Sequence, residues 1–238
     1  MDVTLSTVRQ WWSKRGYQRF YGSRADHDNP YALNAGTVER FETLVADLRA
    51  VLQPTTEDRV LYLGGGNGML ARRVFSGCRQ LVVSDLCLTA LQEAADTDGM
   101  TSHVVANMQR PPFRPAAFTT LFSYSTLPHM GSETVVRRML DAWDALLVDG
   151  GTLFIGDIPD RSRLLAIAAR GFQKPLFFDG LKYFAAISML SYFSRERLRR
   201  LLFDKGYDVT VMGQAATRRF HRERFDLLAR KRACRHQR

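Results

Sequence analysis

Short β-rich apolar runs alternate with amphipathic stretches along most of this 238-residue chain. The runs are Arg59–Leu63, Gln80–Asp85, Thr101–Ala106, Phe118–Ser123 and Gly151–Gly156, and helical spacing fills most of the intervals between them. Strands alternating with helices predict a parallel sheet wound by right-handed crossovers. Ahead of the first run, an amphipathic stretch from Val3 to Phe20 passes through Asp26-His27-Asp28-Asn29-Pro30 into a helical pattern near Thr37–Leu52, which Pro54 ends. Ser132 is suited to cap a helix reaching about Leu147, because Val135, Val136, Met139, Leu140, Trp143, Leu146 and Leu147 share one face. Ser194 caps another over Arg195–Lys205, closed by Gly206. Tyr207–Met212 and Glu223–Ala229 are separated by a loop too short for a crossover helix, so they are expected to pair as an antiparallel hairpin at the sheet edge. The expected architecture is a doubly wound, mostly parallel seven-stranded α/β sheet with an antiparallel last strand. An N-terminal helical cap (residues 1–54) precedes the main domain (55–231), a cap insertion interrupts it at about 161–193, and a basic tail (232–238) follows.

Composition changes this picture little. Hydrophobic residues make up 45% and charged residues 24%, as in ordinary globular chains. The longest apolar stretch, Tyr183–Phe193, is about half of the roughly 20 residues a membrane helix needs. Met1 is not followed by the basic start, apolar stretch and small-residue site of a secretory signal. Cys78, Cys87 and Cys234 show neither metal-pair nor disulfide-framework spacing, so a reducing cytoplasm, no bound metal and no membrane span are expected. The net charge is +10, of which nine Lys/Arg against Glu223 and Asp226 between Thr217 and Arg238 supply +7. Such a terminal run is expected as a solvated strand face and tail, and a nucleic-acid partner is disfavoured.

The candidate chemistry begins at Val60-Leu61-Tyr62-Leu63-Gly64-Gly65-Gly66-Asn67-Gly68, a buried strand entering a glycine-rich turn before a helix. Glycines at 64, 66 and 68 permit a sharp turn and leave no Cβ between the main chain and a nucleotide. Met69 stands where dinucleotide-binding motifs want a further glycine, which disfavours a nicotinamide or flavin enzyme. Asp85 closes the second strand at the edge where ligands bind in open α/β sheets, suiting it to accept hydrogen bonds from ribose hydroxyls.

These segments together resemble the class I S-adenosylmethionine-dependent methyltransferase superfamily over about Thr55–Lys231. Leu61–Gly68 resembles its glycine-rich motif, Asp85 its acidic strand end, Ala106–Phe113 its third-strand loop, Leu146–Asp157 its Gly-Gly turn and fifth strand, and Arg224–Lys231 its closing strand. The resemblance implies a Rossmann-like methyltransferase fold and S-adenosyl-L-methionine as cofactor. It implies that Tyr62, Gly64, Gly65, Gly66, Gly68, Asp85, Leu86, Asn107, Met108, Ser123 and Tyr124 hold that cofactor. Two positions depart from the pattern. Tyr62 stands where the family has a carboxylate for the methionine ammonium, and Asn107 replaces an Asp that accepts from the adenine amino group.

The segment Ser123-Tyr124-Ser125-Thr126-Leu127-Pro128-His129 follows the fourth strand and is expected to face the transferable methyl. His129, with an ordinary pKa near 6.5, is the candidate general base, against a structural role capping the next helix or lining the pocket. Tyr17, Tyr21 and His27 are candidate substrate residues because this region closes over the site in the resembling family. Phe177, Phe178 and Tyr183 of the insertion join them as an apolar wall, as a lid packed on the N-terminal helix, or as part of a homodimer contact. The reading is a methyltransferase acting on a small molecule, with O-methylation preferred. A non-catalytic methyltransferase-like binding protein and an RNA or protein methyltransferase are the alternatives.

Overall fold

The computed structural model describes residues 37–94, 101–172, 190–218 and 220–233. Seven strands form one sheet in the order β3-β2-β1-β4-β5-β7-β6, with β1 Arg59–Leu63, β2 Gln80–Asp85, β3 Thr101–Val105, β4 Phe118–Tyr124, β5 Leu147–Pro159, β6 Tyr207–Gly213 and β7 Arg224–Lys231. The first five are parallel, and β7 enters antiparallel between β5 and β6. This is the expected mostly parallel sheet with its final hairpin.

The helices are α1 Val38–Leu52, α2 Met69–Val74, α3 Leu88–Ala94, α4 Glu133–Leu146, α5 Leu164–Phe172 and α6 Arg195–Asp204. The side chains of Thr37, Ser132 and Ser194 accept from Arg40, Val135 and Arg197 N–H, satisfying donors that each first turn leaves open. Gln53 ends α1 at φ 48° with its N–H returned to the Arg49 carbonyl.

Strand alternation sorts the core into two faces. Leu61 and Leu63 join Val136, Met139, Trp143, Leu198, Leu202 and Leu227 in the cluster formed with α4 and α6. Val60 and Tyr62 join Phe41, Leu44, Leu48, Leu70, Val74, Phe122 and Phe154 in the cluster formed with α1 and α2. Residues 38–52, placed in the N-terminal cap by sequence, therefore contribute to the same core as β1, while residues 1–36 lie outside the described residues. The described part of the insertion is a short 3-10 turn, Arg161–Arg163, and α5. Among the described residues, no helix is long and apolar enough to cross a membrane.

Candidate functional site

Strand order reverses between β1 and β4, so their carboxyl ends flank the crevice in which ligands of open α/β sheets sit. After β1 the backbone passes through Gly64, Gly66 and Gly68 at φ 70°, 56° and 75°, a region that favours glycine. Gly64 and Gly65 N–H both donate to the Ser84 carbonyl, at 2.9 and 3.0 Å, fastening the turn to β2. Packing within the protein already demands three of these glycines. A Cβ would lie 2.5 Å from Thr126 Cγ2 at Gly64, 2.6 Å from the Tyr62 ring at Gly65, and 2.9 Å from Val83 Cγ2 at Gly68.

Asp85 is built into the same turn. Its Oδ2 accepts from Gly66 N–H at 2.8 Å and its Oδ1 from Cys87 N–H at 2.9 Å. Burial raises its pKa, while the bonds from Cys87 and Gly66 oppose that rise. A carboxylate offers about four lone-pair sites, so each oxygen retains capacity for another donor. Leu86, Leu88 and Val105, the last paired with Asp85 across β2 and β3, are about half exposed and give an apolar surface beside the carboxylate. The residues thus fit an adenosyl group, with a carboxylate for ribose hydroxyls and uncovered apolar surface next to it.

Asn107 is exposed, with its Oδ1 accepting from Gln109 N–H and its carbonyl from Arg110 N–H, both at 2.9 Å. That turn is the loop-stabilising role open to asparagine. Met108 is buried, and its carbonyl accepts from Trp143 Nε1 at 2.7 Å, which anchors the loop to α4. Tyr62 is 1% exposed, its ring beneath Gly65 and 4.9 Å from that of Phe122. The side chain at this position supports the glycine turn from the core.

On the β4 side of the crevice, Ser123 is fully buried, donates to the Leu63 carbonyl at 3.1 Å and pairs with the Thr126 hydroxyl. Tyr124 is buried, and that burial, with the fields of Asp157 and Asp226, holds its phenol well above the ordinary pKa and therefore protonated. His129 ends the 3-10 turn Leu127–His129, its N–H donating to the Thr126 carbonyl at 3.0 Å. Burial, reinforced by the nearby Arg224 charge, lowers its pKa to about 4, so the imidazole is neutral at pH 7. Tyr17, Tyr21, His27, Phe177, Phe178 and Tyr183 lie outside the described residues.

The His129 shift has a consequence for stability. Between pH 6.5 and about 4 the unfolded chain takes a proton that the folded chain refuses, so stability is present above pH 6.5 and falls as pH drops through this window. His129→Gln is expected to remove about 2–3 kcal/mol of the stability difference between pH 7 and pH 4.5. Denaturant melts of both proteins at the two pH values check it; parallel curves would show that His129 does not titrate in this window.

A buried ion-pair network sits beside these groups, and sequence reasoning missed it. Asp157 follows the β5 residue paired with Tyr124 and takes φ 63° at an irregularity in the β5–β7 pairing. Its N–H donates to Asp226 Oδ1 at 2.8 Å and its Oδ2 accepts from Arg224. Asp226 also accepts from Gln214 at 2.8 Å and from Arg218, which lies 3.9 Å from Asp47 on α1. The Arg218 and Arg224 side chains are only 11% and 10% exposed, and the Arg224 guanidinium lies 4.7 Å from the Phe220 ring centre. The basic run is therefore not uniformly a solvated face, since two of its arginines are held inside by carboxylates. The available signal was Asp226 among Phe225, Leu227 and Leu228, a charge in an apolar strand that requires a partner.

Comparison with known proteins places this geometry. Residues 61–155 match the family model described as a methyltransferase domain. Among solved structures, the chain resembles magnesium protoporphyrin IX methyltransferase from Synechocystis PCC 6803 with bound S-adenosylhomocysteine, at TM-score 0.66 and 17% identity, covering 96% of this chain and 100% of that one. It also resembles the Thermotoga maritima S-adenosylmethionine-dependent methyltransferase described as a possible histamine N-methyltransferase, at TM-score 0.58 and 16% identity over 90% of this chain and 98% of that one. The complex of the Haloferax volcanii Trm112 methyltransferase activator with its methyltransferase gives TM-score 0.60 at 16% identity over 94% of this chain and 97% of the other. No curated protein matches the sequence. The structural likenesses establish a fold shared with S-adenosylmethionine-dependent methyltransferases, and the segment from β1 into β5 matches the methyltransferase-domain family model.

Proposed function

We propose that this enzyme methylates a small molecule, and that the accepting atom is an oxygen. The observation that carries the reading is burial at the β4 and β5 ends: Ser123, Tyr124 and Asp157 are each no more than 4% exposed, which suits contact with one small group better than with a polymer backbone. When bound, S-adenosylmethionine supplies a methyl group on a positively charged sulfur. The protein's task is then to position the acceptor and keep water away. Asp85 receives the ribose hydroxyls, the turn from Gly64 to Gly68 and the surface at Leu86 receive the adenosyl group, and Asn107 and Met108 form the adjoining loop. His129 is the candidate base in this reading, and because a pKa of about 4 makes it a weak one at physiological pH, it suits an acidic hydroxyl such as a phenol or a carboxylic acid. Tyr17, Tyr21, His27, Phe177, Phe178 and Tyr183 complete the acceptor pocket in this reading.

Transfer of tritiated methyl from S-adenosylmethionine to phenols, hydroxy acids, primary amines, total RNA and whole-cell protein tests this. Label is expected in an extractable hydroxylated small molecule; label in RNA or protein would overturn the acceptor class, and label on amines alone the choice of atom.

Asp85→Ala is expected to weaken S-adenosylhomocysteine binding by about 10- to 100-fold, corresponding to loss of about 1.5–3 kcal/mol of charge-assisted bonding. Calorimetric titration measures it, and unchanged affinity in a folded variant would remove Asp85 from the cofactor site.

A further inference from the structure

Two buried carboxylates stand at the end of β5 and the start of β7, and they differ in one respect. Asp226 is held by short donors on both oxygens: Oδ1 accepts from Asp157 N–H and from Gln214, and Oδ2 accepts from Arg218. Asp157 is not. Its Oδ2 is held by Arg224, whereas among the described residues the only donor on Oδ1 is Gln214 Nε2 at 3.5 Å, and that amide already makes a 2.8 Å bond to Asp226. The Asp157 side chain is 5% exposed, and a carboxyl oxygen at that depth with no short donor among the described residues is costly unless a ligand completes it.

Its place in the sheet says which ligand. Tyr124 of β4 pairs with Gly156 of β5, and the next residue on each takes a left-handed φ: Ser125, at 58°, just past the end of β4, and Asp157, at 63°, at the irregularity in β5 beyond which pairing with β7 resumes at Ile158. Ser125 N–H donates to the Gly156 carbonyl at 3.0 Å, so the two bends are fastened together. Asp157 thereby stands level with the start of the Ser125–His129 segment, on the side of β4 away from β1, β2 and Asp85. Left-handed non-glycine residues are strained, and such strain gathers where a side chain must be held in one place. Asp226 holds the Asp157 backbone, and Arg224 fixes one oxygen, leaving the other in a set position.

We infer that Asp157 Oδ1 receives an O–H or N–H hydrogen of the methyl acceptor, making Asp157 the acceptor-orienting residue, with Asp226 and Arg224 as the groups that position it. The inference rests on the small-molecule reading above and narrows it to acceptors that carry a hydrogen-bond donor at or beside the methylated atom.

A crystal structure of the wild-type chain with S-adenosylhomocysteine tests it without an identified acceptor. Oδ1 is expected to open onto the space before the sulfur and to lie within about 8 Å of it, the span of an S–C bond, a near-attack contact and one hydrogen bond. A longer separation, or an Oδ1 closed off by a protein donor, would overturn the inference. In a second measurement Asp157→Asn is expected to keep S-adenosylhomocysteine affinity within about threefold. A loss as large as that of Asp85→Ala would place Asp157 on the cofactor side and overturn the assignment. The tritium experiment decides separately whether the acceptor is a small molecule, so failure of that reading is distinguishable from failure of this one.

Discussion

Asp226→Ala is expected to destabilise the fold by about 3–5 kcal/mol, the range for removing one partner of a buried ion pair. At this chain length that corresponds to a melting temperature lower by about 6–20 °C. The cause is what the substitution leaves behind. Among the described residues Arg218 keeps only the 3.9 Å approach to Asp47, while Asp157 N–H and the Gln214 amide lose their short acceptor. A buried guanidinium without its carboxylate is the dominant cost, because its desolvation is no longer offset. Combining Asp226→Ala with Arg218→Met is therefore expected to recover part of the loss, and thermal melts of the two single variants and the double variant measure the coupling. Strictly additive losses would show that Arg218 and Asp226 do not depend on each other.

Tyr62→Asp carries the other large effect. The resemblance to class I methyltransferases identifies this as the position of a carboxylate, which suggests that restoring one would tighten cofactor binding. The packing predicts a different outcome. Tyr62 is 1% exposed among Phe122, Leu70, Val74, Val83 and Phe154. Truncating a buried ring of this size costs about 3–5 kcal/mol, and burying the new carboxyl adds to that. Loss of cooperative folding at pH 7 is the expected result. The sign of the residual pH dependence is diagnostic. A carboxyl whose folded pKa is raised binds its proton more readily when folded, so Tyr62→Asp should recover stability as pH falls below its raised value. Tyr62→Phe, which keeps the ring, should fold normally. A Tyr62→Asp protein that melts like wild type and binds S-adenosylhomocysteine more tightly would show that the position faces the cofactor.

The parallel sheet was legible because its signals are local. Runs such as Val60–Leu63 and Leu81–Val83 are buried on both faces and so read as continuous apolar stretches, while Ser132 and Ser194 cap their own helices three residues on. The glycine turn was visible for the same reason, since the left-handed backbone at Gly64, Gly66 and Gly68 is a property of those residues themselves. Pattern alone assigned residues 38–52 to the cap, but α1 puts Phe41, Leu44 and Leu48 into the core with β1, a contact that helical spacing cannot specify. Nor could sequence distinguish the arginines of the basic run. Arg222 and Arg230 are exposed, while Arg218 and Arg224 are buried because strand pairing brings Asp226 and Asp157 to them. Asp157 and Asp226 stand 69 positions apart, and only the antiparallel return of β7 along β5 joins them. Sequence by itself determined the order of strands and helices, the position of the glycine turn, and Asp85 at the neighbouring strand end, because each depends on backbone preference or on a short run of side chains. The tertiary structure decided which charges are buried, which face Tyr62 occupies and how Asp157 is held, because these depend on partners brought together by pairing distant strands.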